Sequence, residues 1–352
     1  MAKKLLVVGT SFGKTYLEAA KHSENWKIGG VVAKTTKSIK KAGRKYRIKK
    51  NRRFPSLDSA LDEIDDIDAV VLTVPNKLHF KFAKKVLNAE KHLILEKPIV
   101  ETWEQALELV HLLDENPRTK AMVGQTLRGD IMIRFMNYFI NQEKLIGDVE
   151  QMTFESHWHW TGDPEKRWRF TLENMYLDDI GIHQFDEIRM LLNNRKCKTI
   201  MARTNNPKSY PLPINTTASA IMTFEDDIHV NYFGSMSCKG HDVGWYGKTE
   251  LFGSEGSIMR KAAGQPFYYP GKKHKKIGLD EKYGEKLEEF LYLPEFEKIP
   301  YLVEDFHYAI EEDRAPITDL HDNIHTFAML LGVKKSAEEH REIDVRENFP
   351  LP

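Results

Sequence analysis

Short apolar runs alternate with helix-period segments through the first 124 residues, and few architectures accept that order. Lys4–Val8 reads as a strand, and Gly13–His22 carries Tyr16, Leu17 and Ala20 at helical spacing. Ile28–Ala33 is a second strand. Ser56 caps a helix bearing Leu57, Ala60, Leu61 and Ile64. Ile67–Val74 is a largely apolar run, as expected of a parallel strand covered on both faces. A helix with Leu78, Phe82, Val86 and Leu87, the strand His92–Leu95, a helix opened by the Thr102/Gln105 capping pair, and the strand Lys120–Gly124 complete the series. Repeated βαβ units with right-handed crossovers give an α/β fold with a doubly wound parallel sheet.

After Gly124 the period changes. Met132–Asn141 is helical, whereas Val149–Trp160 alternates, with Met152, Phe154, Trp158 and Trp160 on one face. Further strands are expected at Thr199–Arg203, Thr217–Phe224, Ile228–Ser237 and Lys248–Gly253, followed by helices at Pro300–Glu312 and Asp319–Ala337. The expected division is therefore 1–123, a nucleotide-binding domain, and 124–352, an α+β domain with a large open, mostly antiparallel sheet. A chain of 352 residues has room for about two domains.

Composition removes several function classes. Hydrophobic residues make up 41% and charged residues 30%, as in ordinary globular proteins. No uncharged apolar run approaches the ~20 residues of a membrane span, and the N-terminus does not read as a secretory signal. A cytoplasmic location is expected. Cys197 and Cys238 have no metal-ligand spacing and read as packed residues. Glu155, His157 and His159 share a strand face but lack the remainder of a zinc set, so no metal is expected. The formal net charge is zero. Residues 34–53 nevertheless hold eleven Lys or Arg and no acid. That run reads as a nucleic-acid patch, a solvated helix and loop, or a phosphate-binding corner; no nucleic-acid partner is expected.

The phosphate corner has support at two places. Gly9-Thr10-Ser11-Phe12-Gly13 follows the first strand and opens a helix, where glycine admits a pyrophosphate to backbone N–H groups and a positive dipole end. Ser11 stands where a second glycine is usual. The second strand ends Ala33-Lys34-Thr35-Thr36-Lys37, without the acid that would hold a ribose 2′-hydroxyl. Lys34 or Lys37 suits a 2′-phosphate, so NADP(H) is favoured over NAD(H).

Three motifs then carry a resemblance. Thr73-Val74-Pro75-Asn76-Lys77-Leu78-His79, Glu96-Lys97-Pro98 and Asp179-Ile-Gly181-Ile-His183-Gln-Phe-Asp186 resemble the Gfo/Idh/MocA oxidoreductases, over nearly the whole length. The resemblance implies a Rossmann domain plus an open-sheet domain, a nicotinamide cofactor, and oxidation or reduction of sugars, cyclitols or related carbonyl compounds. It implies Lys97, Asp179 and His183 as catalytic groups, and Thr73, Pro75, Asn76, His79 and Glu96 along the cofactor. It also implies Arg128 on the substrate side, and a homodimer or homotetramer joined through the open sheet. The residue types agree with that chemistry. Hydride transfer at a C–O carbon needs a group that moves the hydroxyl proton, and histidine titrates in the right range. Asp179 lies four residues from His183, so on a helix it can orient the imidazole. Asp186, one turn further on, is a supporting group or a helix-face charge. Lys97, just past a strand's carboxyl end, can stabilise charge on the reacting oxygen. Trp158, Trp160 and Trp168 read as core or pocket wall.

Two alternatives stay open. The opening Gly9-Thr-Ser-Phe-Gly-Lys-Thr-Tyr-Leu and Val-Val-Ala-Lys also resemble thiazolinyl imide reductases, which would make this an imine reductase. A cofactor-sensing protein without catalysis would keep the same fold.

Overall fold

The computed structural model describes residues 2–160, 172–210, 214–271, 276–291 and 297–351. Its first sheet is built from β1 (Lys3–Val8), β2 (Trp26–Val32), β3 (Arg53–Phe54), β4 (Ala69–Leu72), β5 (His92–Leu95) and β6 (Ala121–Val123). The order is β3-β2-β1-β4-β5-β6, with every neighbouring pair parallel. The chain starts at the centre, winds to one edge and returns to build the other, which is the doubly wound Rossmann topology. Between strands run α1 (Lys14–His22), α2 (Thr36–Lys45), α3 (Leu57–Glu63), α4 (His79–Asn88) and α5 (Trp103–Glu115). Leu5, Val70, Val71, Leu93 and Ile94 are fully buried, because helices cover both faces. β4 is shorter than the apolar run that announces it. Pro75 has no amide to donate, so the ladder ends just after the Thr73 amide bonds the Val8 carbonyl at 2.9 Å.

The chain forms two compact units, and their division differs from the expected break at 123/124. The first unit runs to Gly129 and takes back α9 (Ile299–Glu311) with the residues that follow to Ile324. The cause is apolar. Leu302, Val303 and Phe306 of α9 join Tyr16, Leu17 and Trp26 in one buried cluster. The Trp26 ring stacks on Phe306 and its Nε1 donates to the Val303 carbonyl at 2.9 Å. Each such side chain contributes about 1.5–3 kcal/mol by leaving water, which is ample reason for a distant helix to return.

The second unit begins at Asp130. It contains α6 (Ile131–Asn141), α7 (Ile182–Leu191), α8 (Leu279–Leu291), α11 (Val345–Asn348) and most of α10 (Leu320–Glu339). Its nine strands are β7 (Val149–His157), β8 (Cys197–Asn205), β9 (Thr217–Phe224), β10 (His229–Ser235), β11 (Lys248–Gly253), β12 (Gly256–Lys261), β13 (Phe267–Pro270), β14 (Ile277–Gly278) and β15 (Ile343–Asp344). They lie in the order β14-β13-β12-β11-β7-β10-β9-β8-β15, antiparallel except for β7 beside β10. Period-two alternation gives this sheet one buried face, through Met152, Phe154, Ala220, Met222 and Tyr232. The other face leaves Met201, Ile221 and Phe252 exposed. The strand expected to reach Trp160 ends at His157. Beyond it the pairing turns irregular, with the Trp158 amide on Ser235 and the Trp160 amide on Met236. Trp168 lies outside the described residues. Among the described residues no helix is long and apolar enough to cross a membrane.

Candidate active site

In the first unit the expected cofactor residues collect on loops that follow the carboxyl ends of β1, β2, β4 and β5. Gly9 opens the first of these in the left-handed region, at φ +96°. A Cβ there would stand 2.5 Å from the Thr73 carbonyl oxygen, so only glycine fits. Gly13 is tighter still, since a Cβ there would press even closer on the Gly9 carbonyl oxygen, and α1 begins without a side-chain cap or a first-turn acid. The loop Gly9, Thr10, Ser11, Phe12, Gly13 therefore leads to a helix N-terminus whose amides are not capped by a side chain, which is the donor set a pyrophosphate uses. Ser11 does not disturb the turn: it is exposed.

At the end of β2, Ala33 is buried, while Lys34, Thr35 and Lys37 are exposed. The Thr35 hydroxyl accepts the Ser38 amide at 3.2 Å and caps α2, which has no acid in its first turn. Beyond β4, Thr73 donates to the Val8 carbonyl at 3.0 Å. Pro75 and Asn76 follow, and the Asn76 Oδ1 is buried with no donor opposite it among the described residues. An orphaned buried acceptor beside a glycine-lined turn fits a ligand with amide or hydroxyl donors, such as a nicotinamide dinucleotide. The residues present fit that group.

His79 and Glu96, expected along the cofactor, both make buried contacts within the protein. His79 is 1% exposed; its Nδ1 lies 2.8 Å from the Pro98 carbonyl and its Nε2 2.9 Å from the Val74 carbonyl. It ties the loop after β4, which carries Asn76, to the loop after β5, which carries Lys97. Burial pushes its pKa down. Glu96 is also buried and its Oε1 accepts the Tyr16 hydroxyl at 2.7 Å. Lys97, next to it, is half-buried. Arg128, expected on the substrate side, lies in the interior. It is 2% exposed, and its guanidinium donates to the Ile317 carbonyl at 3.1 Å and to Asp322 at 3.3 Å. Those contacts fix the guanidinium within the first unit.

In the second unit, Asp179 lies in a π-helical turn, Leu177–Gly181, that runs directly into α7. Such wide turns within helices recur at functional sites. Asp179 is half-buried and His183 is 7% exposed. The Trp245 ring meets the His183 ring edge-on at 6.4 Å. Asp186 is fully buried and accepts the Thr326 hydroxyl at 3.0 Å, so it anchors α10 rather than lining a site. Glu155 and His157 pair with each other at 3.1 Å, and among the described residues no group of three His, Cys, Asp or Glu could hold a metal.

Sequence reasoning missed Gln184. Its Oε1 accepts both the Tyr176 and Tyr232 hydroxyls, at 2.9 and 2.6 Å, and its Nε2 donates to the Trp245 carbonyl at 2.8 Å. This one amide, next to His183, ties α7 to the sheet and to the Trp245 loop. It also missed the fully buried ion pair of Glu187 with Arg260 at 2.7 Å. No local motif announces either: apart from Tyr176, eight residues from Gln184, the partners lie 48 to 73 residues away.

The geometry agrees with what comparison shows. Residues 3–125 match the oxidoreductase family model with an NAD-binding Rossmann fold, and residues 140–259 match the GFO/IDH/MocA C-terminal domain. A scyllo-inositol 2-dehydrogenase (NADP(+)) from Bacillus subtilis is 29% identical over 171 residues, 45% of this chain and 46% of that protein. A 4-carboxy-2-hydroxymuconate-6-semialdehyde dehydrogenase from Sphingobium is 26% identical over 167 residues, 43% and 52% of the two chains. The chain thus spans about half the length of the curated relatives it matches. Among solved structures, an oxidoreductase from Agrobacterium radiobacter in complex with NAD+, L-tartaric acid and magnesium superposes with TM-score 0.85 at 16% identity, covering 99% of this chain and 100% of that one. A dehydrogenase from Bordetella pertussis in complex with NADH and UDP-GlcNAcA gives 0.81 at 19%, covering 97% of each. At that identity the likeness speaks for the fold alone. With both domain models matched in order along one chain, the protein belongs to the GFO/IDH/MocA oxidoreductase family.

Proposed function

We propose that this protein is an NADP(H)-dependent oxidoreductase acting at a carbon that bears a hydroxyl or carbonyl, on a sugar, cyclitol or related small molecule. The observation that carries the reading is the glycine cradle of Gly9 at the side-chain-free N-terminus of α1, beside the orphaned Asn76 oxygen. The cofactor, when bound, supplies or accepts the hydride. Gly9 to Gly13 and the first amides of α1 would hold the pyrophosphate, with Thr73, Pro75 and Asn76 alongside. Lys34 and Lys37, exposed at the end of β2, would answer a 2′-phosphate with charge-assisted bonds.

The chain's own groups then divide the proton work. Lys97 donates a hydrogen bond to the reacting oxygen and stabilises negative charge that develops there. His183 takes or returns the hydroxyl proton, and Asp179 orients its imidazole and balances the cation. The relatives named for scyllo-inositol and for a semialdehyde support a polyol or carbonyl substrate. The exposed apolar face carrying Met201, Ile221 and Phe252 supports assembly of two or four copies through the open sheet, which sedimentation velocity separates from a monomer.

The test is a calorimetric titration with NADPH and NADH, followed by turnover of a polyol and ketose panel. NADPH binding at least tenfold tighter than NADH, with turnover dependent on Lys97, is the expected result. Equal affinity for the two cofactors refutes the 2′-phosphate assignment, and full turnover by Lys97→Met refutes the catalytic one.

A further inference from the structure

One buried contact in the first unit is not explained by holding a cofactor. Glu96 closes β5 and precedes Lys97, and its carboxylate points at α1 rather than at a ligand. The group facing it is the Tyr16 hydroxyl, itself 0% exposed, which donates at 2.7 Å. On the β6 side, Gly124 leaves both groups their space. A Cβ at that position would stand 2.7 Å from Glu96 Oε1 and 3.0 Å from the Tyr16 oxygen. Three elements thus enclose one carboxyl, and the third contributes no side chain because none would fit.

We propose that Tyr16 and Glu96 form a positioning pair, which presents Lys97 to the reacting oxygen and sets the acid limit of turnover. The proposal rests on the catalytic reading of Lys97. Tyr16 sits on the third residue of the helix whose N-terminus forms the cofactor cradle, so the pair also links that cradle to the lysine.

The electrostatics run the same way. Burial pushes the Glu96 pKa up to about 7, while the Tyr16 hydrogen bond and the Lys97 charge pull it back toward the carboxylate. Burial foremost, with the Glu96 charge added, holds the Tyr16 phenol well above its usual value, so it remains a donor throughout the neutral range. These are the titratable groups that act on the carboxyl: Tyr16 from α1 and Lys97 from its own loop, with the Gly124 backbone close by on the β6 side. Above neutrality Glu96 is an anion, held by the Tyr16 hydroxyl and the Lys97 backbone N–H, whose charge acts on the neighbouring ammonium. Below neutrality it takes a proton, the anchoring charge is lost, and kcat falls.

The experiment compares wild type, Tyr16→Phe and Glu96→Gln by pH profiles of kcat and KM with NADPH, and by infrared difference spectra of the cofactor-free protein. In wild type a protonated-carboxyl band grows in near neutrality. It is absent in Glu96→Gln, and in Tyr16→Phe its midpoint moves up by about 1–2 pH units, as loss of a hydrogen bond to a charged group requires. The acid limb of kcat moves with it, while the KM for NADPH changes less than twofold. In Glu96→Gln, kcat stays near the wild-type low-pH value across the range. A folded Tyr16→Phe whose acid limb and infrared midpoint match wild type overturns the proposal. Should that variant fail to fold, Glu96→Gln decides alone, and wild-type kcat in it at pH 6 to 8 overturns the proposal as well. Full turnover in Lys97→Met instead removes the functional reading on which the pair depends. A lysine-dependent enzyme indifferent to Tyr16→Phe removes the pair alone.

Discussion

The first unit keeps its chemistry-bearing side chains on loops at strand ends, whereas the second packs many of its own into the interior. Lys34, Thr35, Thr73, Asn76 and Lys97 all follow parallel strands and keep at least part of their surface in water. All ten residues of α7 are buried, and they include His183, Gln184, Asp186, Glu187 and Arg189. In a parallel α/β layer the strand ends form a rim open to ligands, so function can be added without burying charge. A helix laid on a sheet has no such rim. Polar groups there must find partners inside or lose stability. A change at an exposed loop of the first unit therefore leaves the fold largely intact, whereas a change at a buried polar group of the second puts the fold at risk.

Legibility follows the same line. β1, β4 and β5 were legible because a strand buried on both faces must be continuously apolar, and Leu5–Val8, Ala69–Leu72 and Leu93–Leu95 are. The glycine turn and the loops bearing Asn76 and Lys97 were legible because each motif is contiguous. Gln184, Glu187 and Tyr16 were not. Each owes its role to a partner 48 to 80 residues away, and no spacing in a single chain encodes that distance. The double hydrogen bonding of His79, which braces two loops, was hidden for the same reason. The return of α9 to the first unit was equally hidden, since an amphipathic helix does not state which core it joins. The strands β12 to β14 passed unseen because they are short and half exposed.

The largest test of the contrast is Lys97→Met against Glu187→Ala. The first should lower kcat by about 10²–10³-fold while the melting temperature and NADPH affinity hold, since the lost interaction exists only in the transition state. A loss of less than tenfold would place the reacting oxygen elsewhere. The second should act on stability. Glu187 and Arg260 are 0% exposed, and Thr249 also donates to the same oxygen at 3.1 Å. Deleting the carboxylate leaves a buried guanidinium without its countercharge, at a cost of about 3–5 kcal/mol in urea unfolding. The apolar double replacement Glu187→Leu with Arg260→Met should recover most of that, because the pair itself costs desolvation. A single mutant as stable as wild type would show that the interior pair is solvated after all.

A smaller effect tests whether the first unit has a comparable interior liability. His92 accepts the Lys120 amide on Nδ1 at 3.0 Å, so it is held neutral, and burial pushes its pKa down to about 4. In the unfolded chain the imidazole returns to about 6.5. Between those values the unfolded state takes a proton that the folded state refuses, so the contribution is whole above pH 6.5 and is lost as pH falls toward 4. The loss should reach about 1–3 kcal/mol. Burial pushes His79 in the same direction and adds to it. His92→Gln should flatten the fall of melting temperature between pH 6.5 and 4; an unchanged slope would assign the effect to His79.

The smallest effect belongs to the most legible feature. Thr102 caps α5 by accepting the Gln105 amide at 3.3 Å, and the Gln105 side chain returns to the Glu101 amide at 3.2 Å, one residue short of a reciprocal box. The pair satisfies helix-end donors that no other local group reaches. Thr102→Ala should cost about 1 kcal/mol with no change in kcat, and Thr102→Ser should cost almost nothing. A loss approaching that of Glu187→Ala would break the contrast, because it would give a contact spanning three residues the weight of one spanning 73. Signals that can be read from neighbouring residues are local and individually cheap, since water can replace either partner when the other is removed. The costly contacts are those that join distant segments out of water's reach, and for that reason they leave no trace in the spacing of a sequence.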